Sequence, residues 1–411
     1  MATQSARREP LPAARRFKVK FPDAASFAAA SALENEDLAI AVMSVKRLFL
    51  TLSVPAVLAG DVQAEQRLDR RLEFFAESYG ATFTEDEKWD LDAPPLSTPE
   101  SFAAGPSLDD VLEAIGAPQV WSEGNRGAGA TIAVVDTGVA GERRELAPER
   151  RRGSWQAAGA SPWQDPVGHG TMCAVIAAGN RKRGGRFDGV APEAGIIACR
   201  TRFFDSELAA IYDYLTGFLV QDPGMRLVVN NSFGWRHGGG WSTAGSDFPA
   251  ALQEAVEAGM AVLFSAGNNH QRAGGLPEHC HPSTIWNHKL REDVLTVGAC
   301  DLEGEIWDYS SRGPAVAAGR GPKPDVVAAV PRQGLVAFGE ENRRFPNGWG
   351  TSGACPQAAG LAALVWTAEP DLGAQEIFER IRQSAKDLGR AAACQGAGRI
   401  DCAAAVFGKK P

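Results

Sequence analysis

Three short strings hold the residues of this 411-residue chain that could do chemistry: Val134-Val135-Asp136-Thr137-Gly138, Gly168-His169-Gly170-Thr171 and Gly350-Thr351-Ser352-Gly353-Ala354-Cys355-Pro356. They offer a carboxylate, an imidazole and a hydroxyl. A serine hydroxyl at its ordinary pKa is a poor nucleophile. It needs an imidazole to take its proton, and a carboxylate to fix the tautomer of that imidazole and stabilise the imidazolium. Each string alone has a plainer reading, because Asp-Thr-Gly also marks one half of a two-aspartate site and a lone His or Ser is usually structural. Together, in the order Asp, His, Ser, they point to acyl transfer.

The flanks predict the elements that must position these groups. Ile132 to Val135 is an apolar run ending at Asp136, which predicts a buried parallel strand with the acid at its carboxyl end, where functional groups gather in open α/β sheets. Gly168 and Gly170 let backbone approach His169 closely, and Thr171 to Ala178 predicts a small-residue helix stopped by Gly179-Asn180. Ser352 opens an Ala- and Gly-rich helix over Gly353 to Ala368, with Pro356 near its first turn. That places the nucleophile where unsatisfied N–H groups meet developing negative charge. Leu227 to Gly234 reads as a strand entering a turn, and Met260 to Ser265 as a strand ending in Ala266-Gly267-Asn268.

With these strings the chain resembles the subtilisin-like serine peptidases, over about residues 107–407. The likeness extends through Leu108 to Gly124, Gly189-Val190-Ala191-Pro192-Glu193-Ala194, Ser310 to Pro314, Lys323 to Val326 and Gly398-Arg399-Ile400-Asp401. It implies a doubly wound α/β fold, with a mostly parallel sheet and helices on both faces. It also implies that Asp136 orients His169, that His169 activates Ser352, and that Asn268 is the oxyanion-hole carboxamide. Ser232, Phe233 and Gly234 match the strand that pairs with extended substrate backbone. The family's usual methionine after the nucleophile is Gly353 here, which is expected to leave more room beside Ser352. No cofactor is expected for catalysis and no metal ligand is assigned. Many members bind calcium, yet none of their ligands maps onto this sequence.

Composition sets the wider bounds. A net charge of −8 argues against nucleic acid as the main partner. No apolar run reaches the length of a membrane span, so no membrane partner is expected, and the expected substrate is a protein or peptide. Residues 1–15 form a basic, polar N-terminus without a secretory h-region. With 7 scattered cysteines and no CxxC pair, this gives the expectation of a reduced, cytoplasmic protein. Residues 16–92 read as a small α+β unit: Arg16 to Phe21 alternates basic and apolar as a half-exposed strand does, Ala24 to Leu33 and Asp61 to Tyr79 are helix candidates, and Lys46 to Val54 is a strand candidate. Its position resembles a pro-domain that binds the catalytic domain in cis, joined by a Pro- and Ser-rich linker over 93–106; residues 408–411 form a tail. The competing reading of this unit is a permanent partner-binding adaptor. For the whole chain the competing readings are an aspartic peptidase, which would need a second Asp-Thr-Gly, and a catalytically silent scaffold. The cluster His270, His279, Cys280, His281 and His288 fits no standard zinc spacing and reads as a polar loop by the cleft.

Overall fold

The computed structural model describes residues 16–32, 39–53, 62–91, 106–157, 160–234, 246–276, 283–313, 322–331 and 349–408. The first of these build a small unit from β1 (Arg16–Lys20), α1 (Ala24–Ser31), β2 (Ala39–Ser44), β3 (Phe49–Ser53), α2 (Val62–Ser78) and β4 (Thr82–Glu85). Its antiparallel sheet has the order β2-β3-β1-β4. Phe17 and Val19 of β1 meet Leu50 and Leu52 of β3, Phe27 of α1 and Leu72 of α2 in one core. The alternation in β1 is real, but of its basic face only Lys20 is exposed. Arg16 and Lys18 are both 3% exposed, because that face lies against the acidic starts of two helices of the larger domain. Strand β2 lies outside the sequence expectation. A two-residue strand β5 (Asp90–Leu91) follows.

The larger domain begins with α3 (Leu108–Ala114) and α4 (Ala117–Ser122), two short helices where the sequence suggested one. Gly116 divides them with a φ of 73°, a left-handed conformation that favours glycine. Then come β6 (Ala130–Asp136), β7 (Arg151–Gln156), α5 (His169–Ala178), β8 (Gly195–Arg200), α6 (Asp205–Gln221), β9 (Arg226–Asn231), β10 (Phe233–Gly234), α7 (Phe248–Glu257), β11 (Ala261–Ser265), β12 (Leu295–Cys300) and β13 (Val326–Ala329). Four helices close the chain: α8 (Gly350–Ala368), α9 (Ala374–Ser384), α10 (Ala392–Gln395) and α11 (Cys402–Phe407).

Seven parallel strands form one sheet in the order β13-β12-β11-β9-β6-β8-β7. Side chains of β6 alternate between its two faces, as period-2 geometry requires. Ile132 and Val134 join a core with α5 and α8, while Ala133 and Val135 join a second core with α6 and α7. This is the doubly wound α/β arrangement that the sequence implied. The chain order turns at β6, which pairs with β8 on one side and β9 on the other, so a crevice opens at the carboxyl ends of these strands. Among the described residues no helix is long and apolar enough to cross a membrane. The linker over 93–105 and the glycine-rich run from 235 lie outside the described residues.

Candidate active site

The three strings converge at that crevice. Asp136 ends β6, His169 begins α5, and Ser352 lies in the first turn of α8. Asp136 is 0% and His169 1% exposed. Asp136 Oδ1 lies 2.8 Å from His169 Nδ1 and accepts a 2.7 Å hydrogen bond from the Thr137 N–H. Such proximity requires Gly170, since a Cβ there would meet the Gly138 carbonyl oxygen at 2.1 Å and the Asp136 Cβ at 2.8 Å. Burial works against the imidazolium, but the facing Asp136 carboxylate outweighs it and holds His169 well above the ordinary histidine range. An imidazole oriented in this way is a strong acceptor for a hydroxyl proton.

The nucleophile helix starts earlier than the sequence suggested, at Gly350, which leaves Pro356 inside it. Proline has no N–H to give to the carbonyl four residues back. That carbonyl belongs to Ser352, and it accepts instead from Ser232 Oγ at 3.3 Å and Cys173 Sγ at 3.5 Å. The space expected beside Gly353 is also taken: a Cβ there would lie 2.2 Å from the Trp349 Cβ. Glycine at this position therefore reflects the packing of Trp349 rather than a wider cleft.

Asn268 follows β11. Its Oδ1 accepts from the Thr351 N–H at 3.0 Å and the Thr351 hydroxyl at 3.1 Å, while that hydroxyl accepts from the Gly267 N–H at 3.1 Å. The carbonyl end of the carboxamide is thereby committed to Thr351, and its donor end is Nδ2. Thr351 was not singled out from the sequence, although its place beside Ser352 in the glycine-flanked string is a signal. Cys173 is a second residue that the sequence alone does not single out. Its position four residues after His169 puts both on one helix face. Its thiol lies 3.7 Å from Asp136 Oδ2 and 3.5 Å from Ser232 Oγ. Burial, with Asp136 adding to it, pushes that thiol up to about 11, so it remains a protonated donor.

Ser232, Phe233 and Gly234 stand together beside the nucleophile, and β10 already holds an antiparallel partner. Phe233 faces Leu91 and Gly234 faces Asp90 of β5. Of the histidine and cysteine cluster, His270 is buried with Nε2 3.0 Å from the Leu276 carbonyl, and His288 is buried among aromatic rings. His279, Cys280 and His281 lie outside the described residues. Cys173, Cys199, Cys300, Cys355 and Cys402 are in no disulfide, but Cys394 is disulfide-bonded, so the expectation of a wholly reduced chain does not hold.

Residues 127–398 match the model of the subtilase family, so this chain is a member of that family. It is 27% identical over 280 residues to subtilisin E of Bacillus subtilis, a match covering 68% of this chain and 66% of that protein. The chain thus spans just under two thirds of that curated relative. The crystal structure of MycP1 with its N-terminal propeptide removed superposes with a TM-score of 0.57 at 26% identity, covering 74% of this chain and 98% of that one. Fervidolysin from Fervidobacterium pennivorans, a keratinolytic enzyme related to subtilisin, shares the fold over 97% of this chain and 61% of its own, with a TM-score of 0.64 at 20% identity.

Proposed function

We propose that this protein is a serine endopeptidase. Ser352 Oγ attacks the carbonyl carbon of a peptide bond while His169 takes its proton, with Asp136 holding the imidazole. The Asn268 carboxamide and a backbone N–H near Ser352 stabilise the oxyanion. The tetrahedral intermediate collapses, His169 gives the proton to the leaving amine, and water releases the acyl group from Ser352. The buried 2.8 Å Asp136–His169 pair, set at the strand-order switch beside the start of α8, carries this reading. Membership of the subtilase family supports it.

The N-terminal unit acts on this reading as a pro-domain bound in cis. Its support is the ion-pair surface between the units. Arg16 reaches Glu207 at 2.6 Å, Lys18 reaches Asp247 at 2.8 Å and Asp205 at 3.2 Å, and Asp86 accepts from the Ser206 N–H near the start of α6 at 3.0 Å. The pairing of β5 with β10 adds to it, as does the propeptide named for MycP1. Hydrolysis of casein by the purified chain tests the reading. Wild type should release peptides and Ser352→Ala should release none. A Ser352→Ala protein as active as wild type overturns it.

A further inference from the structure

We propose, on the basis of the peptidase reading above, that Asp165 is the positioning residue of the Asp136–His169 pair. Its carboxylate ties the turn after β6 to the start of α5 and so sets the distance between acid and base.

Asp136 ends one element and His169 begins another, so their 2.8 Å contact depends on what joins the two turns. Asp165 does this with both carboxylate oxygens. Oδ1 accepts from the Thr137 hydroxyl at 2.8 Å, the Gly168 N–H at 2.8 Å and the Val167 N–H at 3.2 Å. Oδ2 accepts from the Thr171 N–H at 2.8 Å and the Thr171 hydroxyl at 2.7 Å. The two hydroxyls extend the brace. Thr137 Oγ1 accepts from the Gly170 N–H at 3.0 Å, and Thr171 Oγ1 accepts from the Ala140 N–H at 2.9 Å. The residue after Asp136 and the residues on both sides of His169 are thus bonded to one side chain, directly or through one hydroxyl.

A carboxylate suits this place. The N-cap of α5 is Gly168, which has no side chain to accept from the first turn of the helix. Asp165 supplies that acceptor from outside the helix, at the end where the helix dipole favours an acidic group. An ionised carboxylate accepts at both oxygens and donates at neither, as donors converging on both oxygens require. Asparagine would turn an NH2 group toward those donors. Further out, the Val139 N–H donates to the Pro162 carbonyl at 3.0 Å and the Gly141 N–H to the Trp163 carbonyl at 3.1 Å. These backbone bonds join the same two segments without Asp165. What the carboxylate adds is the register at the pair itself.

The test compares Thr137→Val, Thr137→Ser and Asp165→Asn with the wild-type full-length chain, reading peptide hydrolysis per folded molecule and the titration of His169 by NMR. Thr137→Val is the sharper variant: it changes no charge and leaves Asp136 and the Cys173 thiol, the titratable groups facing His169, in place. It should lower kcat about tenfold at constant KM, the scale of one lost charge-assisted hydrogen bond. It should also move the His169 midpoint down toward 6.5, as the hold of Asp136 loosens. Thr137→Ser should restore both. Asp165→Asn should cost about 100-fold in kcat, the scale of a misplaced reacting group, with the midpoint shifted the same way. Wild-type kcat and midpoint in folded Thr137→Val overturn the proposal, even where its melting temperature has fallen. Should Asp165→Asn fail to fold, the two Thr137 variants decide alone. A wild-type chain that cuts no peptide overturns the peptidase reading, and the His169 titration then still decides whether Asp165 holds the pair.

Discussion

Pro356 lies four residues after Ser352 in α8, and its missing N–H leaves the Ser352 carbonyl to the Ser232 hydroxyl and the Cys173 thiol. A residue that would weaken an ordinary helix here ties the nucleophile's backbone to two neighbouring elements, α5 and the segment between β9 and β10. The position of Ser352 is thus set from three directions: by its own helix, by Ser232 and by Cys173.

Removal of the reacting groups should separate binding from chemistry. Ser352→Ala and His169→Ala should each abolish turnover to a similar degree, because nucleophile and base act as a unit. Asn268→Ala should lower kcat by about 10²–10³ at nearly constant KM, the loss known for the matching donor of subtilisin, a member of this family. Steady-state kinetics on one peptide checks all three. A change in KM alone at Asn268 would make it a substrate-positioning residue.

Thr351 should behave as a positioning residue acting through Asn268. Thr351→Val removes the hydroxyl that holds the carboxamide oxygen but keeps the N–H contact. We expect a loss of roughly tenfold in kcat with KM retained, on the scale of one neutral hydrogen bond. Thr351→Ser should recover the wild-type value. A purely structural role would instead lower the melting temperature and leave kcat per folded molecule unchanged.

The pH profile follows from the raised His169. A general base must be neutral to accept a proton, so a pKa held above 6.5 moves the acid limb of kcat/KM to higher pH. Activity should therefore rise with pH through a midpoint above that of free histidine. Asp136→Asn should lower the midpoint and cut kcat severely, since the tautomer is no longer fixed. A wild-type midpoint below 6.5 would contradict the hold of the Asp136 carboxylate on His169.

Lys18 should anchor the N-terminal unit. It is 3% exposed and faces Asp205 and Asp247. Lys18→Ala leaves the buried Asp205 carboxylate without its cation and Asp247 with Lys20 alone, and breaking a comparable buried pair costs about 3–5 kcal/mol. Amide hydrogens of β1 and β3 should then exchange much faster while those of β6 and β9 stay protected. Unchanged protection of the small unit would show that its apolar contacts alone hold it.

Much of the larger domain was legible in the sequence because its strands are fully buried apolar runs that end at recognisable polar residues: Asp136 after β6, and Asn268 just beyond β11. Less was legible where tertiary contacts override local pattern. β7, Arg151–Gln156, carries two arginines and a glycine and is an edge strand whose pairing is decided by β8. The basic face of β1 read as solvent-exposed because its acidic partners lie at positions 205, 207 and 247, far along the chain. Cys173 and Thr351 escaped notice for the same reason: what each touches is set by the fold, not by its neighbours in sequence.

The most direct measurement is covalent labelling with a fluorophosphonate, followed by peptide mapping, on the full-length chain incubated until its mass stops changing. The account predicts one adduct per molecule on Ser352, with none on Ser352→Ala and a strongly slowed reaction on His169→Ala. A wild-type protein that gains no adduct, or a Ser352→Ala protein that gains the same one, would contradict the assignment of Ser352 as the nucleophile.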